Sequence, residues 1–381
     1  MVHGRGRVAA FCVLLAAGLL LAATPIALAE STAYCPAQPR VMRERIFEPG
    51  GLILTAFDRS GLWVVDIEGR TRYPLENTRI CGTNCRISPD ARTVTYLDGE
   101  EELYRRMTLD GVLRDTLYED TASDVQYWSD DSLLIYTAGQ RLYLQGTSGL
   151  VELDNHAVVS VQPGGFWALA LDYRDGRFVR QLVNLVTRRA PDSPHIDVGP
   201  EARYANAAAW SPDGTRLAAV VPVAEDAASG AELVIANPDT RSVETVTDLT
   251  AEYGPLRLGG IGTGGVSWSP DSRYVAFWGA PLTGPDPEVD VAPASLYVFD
   301  TQSGETRSYC GVTIEDHTPQ PPRLVWSPDS SHVAFAGNPP DDARGSLLLA
   351  LDVDTGVFTE LTAGMSSLLG RPNVLAWGTR P

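Results

Sequence analysis

WSPDGTRLAAV (residues 210–220) decides the fold, because the chain states it again and again. WSPDSRYVAF (268–277) and WSPDSSHVAF (326–335) repeat it, and ISPDARTVTY (87–96) and WSDDSLLIYTA (128–138) are looser copies. In each strong copy Ser, Pro, Asp and then Gly or Ser occupy the corners of a tight turn. Pro presets the backbone at the second corner, and Asp accepts from nearby amides. After the turn comes a short apolar run with the composition of a buried strand. The phrase therefore encodes a hairpin.

A second hairpin follows each first one. LVIANPDTRSVETV (233–246), LYVFDTQSGETRSY (296–309) and LLALDVDTGVFTEL (348–361) share an apolar strand, a turn rich in Asp, Asn or Gly, and a strand rich in Thr or Val. Earlier copies are LWVVDIEGRTRYPL (62–75) and LYRRMTLDGVLRDTLY (103–118). Two hairpins make a four-stranded antiparallel unit, and a unit recurring every roughly 40–50 residues signals propeller blades. The phrase resembles the TolB-like repeat, a WD-repeat-like blade also found in the propeller domains of prolyl-oligopeptidase relatives. The resemblance runs from about Gly51 to Trp377. It implies a β-propeller and no particular activity, with protein or peptide partners the most natural reading.

Blade counting completes the expectation. The runs at 51–57, 62–68 and 71–75 supply three strands, and the missing innermost strand is NVLAW (373–377) at the far end of the chain. Complete blades begin near Asn84, Val125, Val158, Asn206, Gly265 and Arg323. The expected fold is all-β: a seven-bladed β-propeller of four-stranded antiparallel blades, closed by a C-terminal strand joining the N-terminal blade. The blade opening VVSVQPGGFWALALDY (158–173) is degenerate, which keeps six or eight blades open.

Residues 1–29 carry Arg5 and Arg7, an apolar stretch and the Ala27-Leu28-Ala29 motif, the plan of a secretory signal peptide. An uncleaved membrane anchor is the alternative reading. Residues 30–50 form a tail, and 51–381 the propeller. The chain is expected to be secreted or periplasmic, and monomeric. All 30 basic residues are Arg, set against 48 acids, for a net charge of −18. Cleavage removes two arginines and no acid, leaving 28 against 48 and a net charge of −20. That surface repels nucleic acid and anionic membranes. Cys35, Cys81, Cys85 and Cys310 would remain in an oxidising compartment, so disulfides are expected in preference to a metal site. Three pairings are open. Cys81 and Cys85 are close enough to shut a small loop, and Cys35 could then tie the tail to Cys310.

The connections after second and fourth strands lengthen in the last three blades: 222–230, 250–265, 279–293, 311–322 and 337–345. In an antiparallel blade these leave on one face, where binding groups are usually set on a rigid scaffold. The candidate binding residues are Glu252, Tyr253, Arg257, Asp286, Glu288, Asp290, Glu315, Asp316, His317, Asp341, Asp342 and Arg344, with Glu225 and Asp226 alongside. Solvated loop charge is the plainer account of any one of them. Asp286-x-Glu288-x-Asp290 could hold calcium, whereas Asp352-x-Asp354-x-Gly356 sits in a repeat turn. Neither a Gly-x-Ser-x-Gly elbow nor a phosphate-cradling loop is present, and GGIGTGG (259–265) lacks a following helix. The expectation is a non-catalytic binding or scaffold module without cofactor. Its alternatives are a propeller hydrolase or lyase with carboxylates at the channel mouth, and a gating propeller beside a separate peptidase.

Overall fold

The computed structural model describes residues 32–34, 50–57, 61–75, 85–98, 103–118, 122–129, 132–137, 141–146, 149–153, 158–187, 194–202, 205–224, 229–258, 265–282, 292–314, 322–337, 347–362 and 372–379. A short strand β1 (Thr32–Tyr34) comes first. Blade 1 then takes β2 (Leu52–Phe57), β3 (Gly61–Asp66) and β4 (Thr71–Pro74), and blade 2 takes β5 (Arg86–Ile87), β6 (Thr93–Asp98), β7 (Leu103–Thr108) and β8 (Leu113–Tyr118). Blade 3 is β9 (Ala122–Tyr127), β10 (Leu133–Thr137), β11 (Leu142–Gly146) and β12 (Gly149–Glu152). Blade 4 is β13 (Val158–Val161), β14 (Trp167–Arg174), β15 (Arg177–Asn184) and β16 (His195–Pro200). Blade 5 is β17 (Ala208–Trp210), β18 (Leu217–Pro222), β19 (Ala231–Asn237) and β20 (Ser242–Thr245). Helix α1 (Leu249–Tyr253) and β21 (Leu256–Leu258) lead into blade 6, which is β22 (Val266–Trp268), β23 (Tyr274–Pro281), β24 (Ala294–Asp300) and β25 (Thr306–Ile314). Blade 7 is β26 (Val325–Trp326), β27 (His332–Gly337), β28 (Leu347–Asp352) and β29 (Phe358–Glu360), and β30 (Pro372–Gly378) ends the series.

The sheets form seven four-stranded antiparallel blades, and β30 pairs with β2 to complete blade 1. The degenerate fourth blade is complete, which settles the blade count at seven. First strands touch between blades 2 and 3, 5 and 6, 6 and 7, and 7 and 1. One apolar cluster fills the seam between each pair of neighbours, including blades 7 and 1, where Ile53 and Val65 meet Ala334, Leu348 and Trp377. Consecutive strand residues point to opposite neighbours: Ile53 packs toward blade 7 and Leu54 toward blade 2, and both are fully buried. This is why the strands read as continuous apolar runs rather than alternating ones. Each such side chain contributes about 1.5–3 kcal/mol by leaving water.

The repeated turn works as its residues require. Ser211 Oγ donates to Asp213 Oδ1 at 2.6 Å, and the amide of Thr215 donates to the same oxygen at 3.0 Å. The amide of Arg216 closes the turn onto Ser211 Oγ at 3.0 Å. Gly214 has φ 70°, while Ser272 and Ser330 adopt 59° and 64° at the same corner, where glycine is easiest. Those serines also reach across to the preceding blade. Ser272 Oγ accepts from the Asp213 amide at 3.4 Å, and Ser330 Oγ from the Asp271 amide at 3.1 Å. The tryptophans stitch the same seams. Trp268 Nε1 donates to Ala209 O at 2.9 Å and Trp326 Nε1 to Ser267 O at 3.0 Å, each reaching the preceding blade.

Two features depart from the repeat. Blade 6 is longer than its neighbours: the far end of β23 pairs with β21 as well as β24. On its outer edge β1 adds in parallel to β25, with Thr32 opposite Arg307 and Tyr34 opposite Tyr309.

Candidate functional site

The first strand of each blade runs from one face of the ring to the other, and the described turns after first and third strands are tight. Connections on the opposite face lengthen toward the end of the chain, while the ten residues between β15 and β16 (185–194) leave on the short-turn face. Between second and third strands, three residues separate β2 from β3 and two separate β14 from β15, whereas the corresponding gaps in blades 5, 6 and 7 span 223–230, 282–293 and 338–346. The expected lengthening is present in blades 5 to 7, but it is not confined to one face, since blade 4 carries a connection of similar length on the other.

Its described part is a platform built from α1 and β21. Leu249, Leu256 and Leu258, at 0–1 % exposure, seat it in the seam between blades 5 and 6. The anchor is Glu232, a buried carboxylate at the long-loop end of β19. Glu232 Oε2 accepts from Thr247 Oγ1 at 2.7 Å and from the Leu249 amide at 2.8 Å, and Oε1 accepts from the Thr250 amide at 2.8 Å. Asp248, the N-cap residue, makes no side-chain cap. Glu232 thus satisfies the first turn of the helix from another strand. Gly230 has φ 79°, and a Cβ there would lie 2.9 Å from the Leu256 amide nitrogen, so the close approach of the platform requires glycine.

Glu252, Tyr253 and Arg257 all stand on this platform. Glu252 is exposed, while Tyr253 and Arg257 are half-buried. Tyr253 meets Tyr297 edge-on at 5.2 Å, and Tyr297 stacks on Phe277 at 5.6 Å. The Tyr297 ring lies across Gly279, whose Cβ would fall 2.6 Å from it. Burial, then the neighbouring Tyr253, pushes the Tyr297 phenol up to about 12. Burial also pulls the Arg257 guanidinium below its usual range. Glu225, Asp226, Asp286, Glu288, Asp290, Glu315, Asp316, His317, Asp341, Asp342 and Arg344 lie outside the described residues, as do Cys35 and Cys81. Cys85 is buried in the seam between blades 1 and 2.

Among the described residues no group of three His, Cys, Asp or Glu side chains is placed to hold a metal. Asp352 accepts the amides of Asp354 and Thr355 at 2.9 and 3.1 Å, so its carboxylate caps its own turn. His332 bonds Ser331 Oγ through Nδ1 at 2.7 Å within the repeat turn.

The same face carries a feature that sequence reading missed. The hairpin of β14 and β15 presents Tyr173 and Phe178 in register, 64 % and 53 % exposed, with ring centroids 5.2 Å apart in an edge-on pair. Asp175 and Gly176 turn it with φ of 50° and 85°. Arg174 fixes the hairpin from its other side, bonding Asp172 at 2.6 Å, Gln181 at 2.9 Å and Asp197 at 3.3 Å. Val223, 51 % exposed, stands at the same end of blade 5. A Tyr and a Phe in an apolar strand pattern read as core, and only the length of the hairpin places this pair beyond it.

No protein-family model matches the chain, and no curated protein matches it. Among solved structures it is similar to TolB from Acinetobacter baumannii, at 14 % identity and a TM-score of 0.48, over 87 % of this chain and 67 % of that one. It is also similar to a functionally unknown protein from Desulfotomaculum acetoxidans, at 12 % identity, a TM-score of 0.46 and coverage of 86 % and 99 %. A third is the Cps50 β-propeller domain of Myceliophteria thermophila, at 12 % identity, a TM-score of 0.44 and coverage of 84 % and 91 %. The class of the protein is defined by its own sheets: a closed seven-bladed β-propeller, as its resemblance to TolB-like, WD-repeat-like blades implied.

Proposed function

We propose that this chain is an exported, non-catalytic β-propeller that binds a protein or peptide partner through its long-loop face. The exposed Tyr173–Phe178 pair carries the reading. A rigid aromatic pair standing in water beside arginines is the composition of an interface hot spot, and it costs little side-chain entropy on binding. The α1–β21 platform, with Glu252, Tyr253 and Arg257, extends the same surface. Export rests on the leader at residues 1–29, and among the described residues no helix is long and apolar enough to cross a membrane. Export accords with the disulfides expected among Cys35, Cys81, Cys85 and Cys310. The expected state is a monomer, since the ring completes itself.

The test is capture of partners from the native envelope by the tethered chain. Tyr173→Ser with Phe178→Ser should leave the melting temperature in place and reduce capture by about 30-fold, as loss of a 2 kcal/mol hot spot does. Asp239→Asn, on the short-turn face, should change nothing. Unchanged capture in the double variant would exclude this face.

A further inference from the structure

Tyr173, Phe178 and Glu201 form one row across three strands at the long-loop end of blade 4. Tyr173 is opposite Phe178 in the β14–β15 pairing, with ring centroids 5.2 Å apart and planes at 65°. Val179 is opposite Pro200 in the β15–β16 pairing, so the register sets Phe178 against Glu201, whose amide donates to Phe178 O at 3.0 Å. Side chains directly opposite in an antiparallel pair share a face of the sheet. That face looks toward blade 5: Arg180, two residues on from Phe178, donates to Ala207 O at 3.4 Å and to Val220 O. Arg174 and Arg177 are each one residue off the row and so stand on the other face.

The row holds what a core would not. Both rings stand mostly in water. Glu201 is half-buried, and among the described residues no group donates a hydrogen bond to its carboxylate. Burial pushes that carboxyl above its usual range, against the attraction of Arg180. Arg180 makes no ion pair with it: fully buried, its guanidinium is held by the carbonyls of Ala207, Pro200 and Val220. A half-buried carboxylate without a donor costs free energy in the free chain. Two ring faces set at an angle, with a carboxylate beside them, are the groups that attract a cation.

We propose that Tyr173, Phe178 and Glu201 form a cation site that takes an arginine side chain of the partner protein. A guanidinium is planar, lies flat on an aromatic ring and can bond a carboxylate through two N–H groups. Lysine fits less well, since its ammonium is a compact, strongly hydrated charge without that fork. The net charge of −18 draws a basic partner and repels an acidic one. This assignment rests on the long-loop face being the working face and names what that face recognises. The two readings fail separately, because Glu201→Gln leaves both rings in place. Capture that needs the rings and ignores Glu201 would keep the face and remove the cation site.

The purified full chain is titrated with N-acetyl-Ala-Ala-Arg-Ala-Ala-amide, and with the same peptide carrying lysine or citrulline in place of arginine. NMR follows the amides of Asp175 and Gly176, in the turn between the two rings. The arginine peptide should shift them saturably, and the lysine peptide should bind severalfold more weakly. Citrulline, which keeps the shape without the charge, should bind more weakly by about 10-fold or more. Glu201→Gln should weaken the arginine peptide by about 10-fold, the loss expected for a charge-assisted bond. Phe178→Leu, which keeps an apolar side chain without a ring, should weaken it severalfold. Equal binding of the arginine and citrulline peptides, no saturable shift, or binding unchanged in either variant would overturn the site.

Discussion

Tyr34 lies directly opposite Tyr309 in the parallel pairing of β1 with β25. The residue after each is a cysteine, Cys35 and Cys310. Neighbouring strands run about 4.8 Å apart, inside the span a disulfide bridges. Peptide mapping without reduction should therefore recover Cys35 joined to Cys310 and Cys81 joined to Cys85. Cys35 joined to Cys81 or Cys85 would contradict the register. Cys35→Ser should cost about 2–4 kcal/mol of stability.

Acid sensitivity should begin at a single histidine. Burial outweighs the attraction of Asp352, Asp329 and Asp354 and holds the His332 imidazole below its ordinary 6.5. A base whose folded value lies below its unfolded one contributes fully above 6.5, and the contribution is lost as pH falls from there through the folded value. Asp213, Asp300 and Asp329 are each raised by burial and lowered more by their hydrogen bonds, so their losses come only below about 4. The melting temperature should fall between pH 7 and pH 5, and His332→Gln should flatten that fall. An identical fall in the variant would assign it elsewhere.

The tryptophans should separate by their indole nitrogens. Trp268 and Trp326 donate across their seams, but Trp210 Nε1 is buried without a partner. Trp268→Phe and Trp326→Phe should each lose about 1 kcal/mol more than Trp210→Phe in chemical denaturation, the net worth of one hydrogen bond. Equal losses would mean that packing alone sets the role of the repeat Trp.

Glu232→Ala should loosen the platform and spare the ring. It leaves two helix amides and the Thr247 hydroxyl without their acceptor, a local cost of about 2–4 kcal/mol. Hydrogen exchange should quicken across 247–258 while β18 and β27 stay protected. Protection lost evenly over all blades would make Glu232 a core residue and not an anchor.

Much of this architecture was legible because the Trp-Ser-Pro-Asp turn is local chemistry: Ser211, Asp213 and Arg216 satisfy one another within six residues. Ring closure was legible for a different reason, since a blade lacking its innermost strand needs one from elsewhere, and 373–377 had no other partner. Helix α1 and the pairing of β1 were not, because their partners are distant. Glu232 sits in the apolar run AELVIAN and bonds residues 15 to 18 positions on. The exposure of Tyr173 and Phe178 depends on how far one hairpin outreaches its neighbours, which apolar patterning does not encode.

Whether partners are met on the long-loop face can be read by photo-crosslinking in the producing cell. A photoreactive phenylalanine analogue is placed at position 178 and, separately, at position 239 on the opposite face. Position 178 should give a discrete, saturable adduct that Tyr173→Ser abolishes, and position 239 should give none. An adduct from 239 alone, or the same adduct from both positions, would refute binding through the long-loop face.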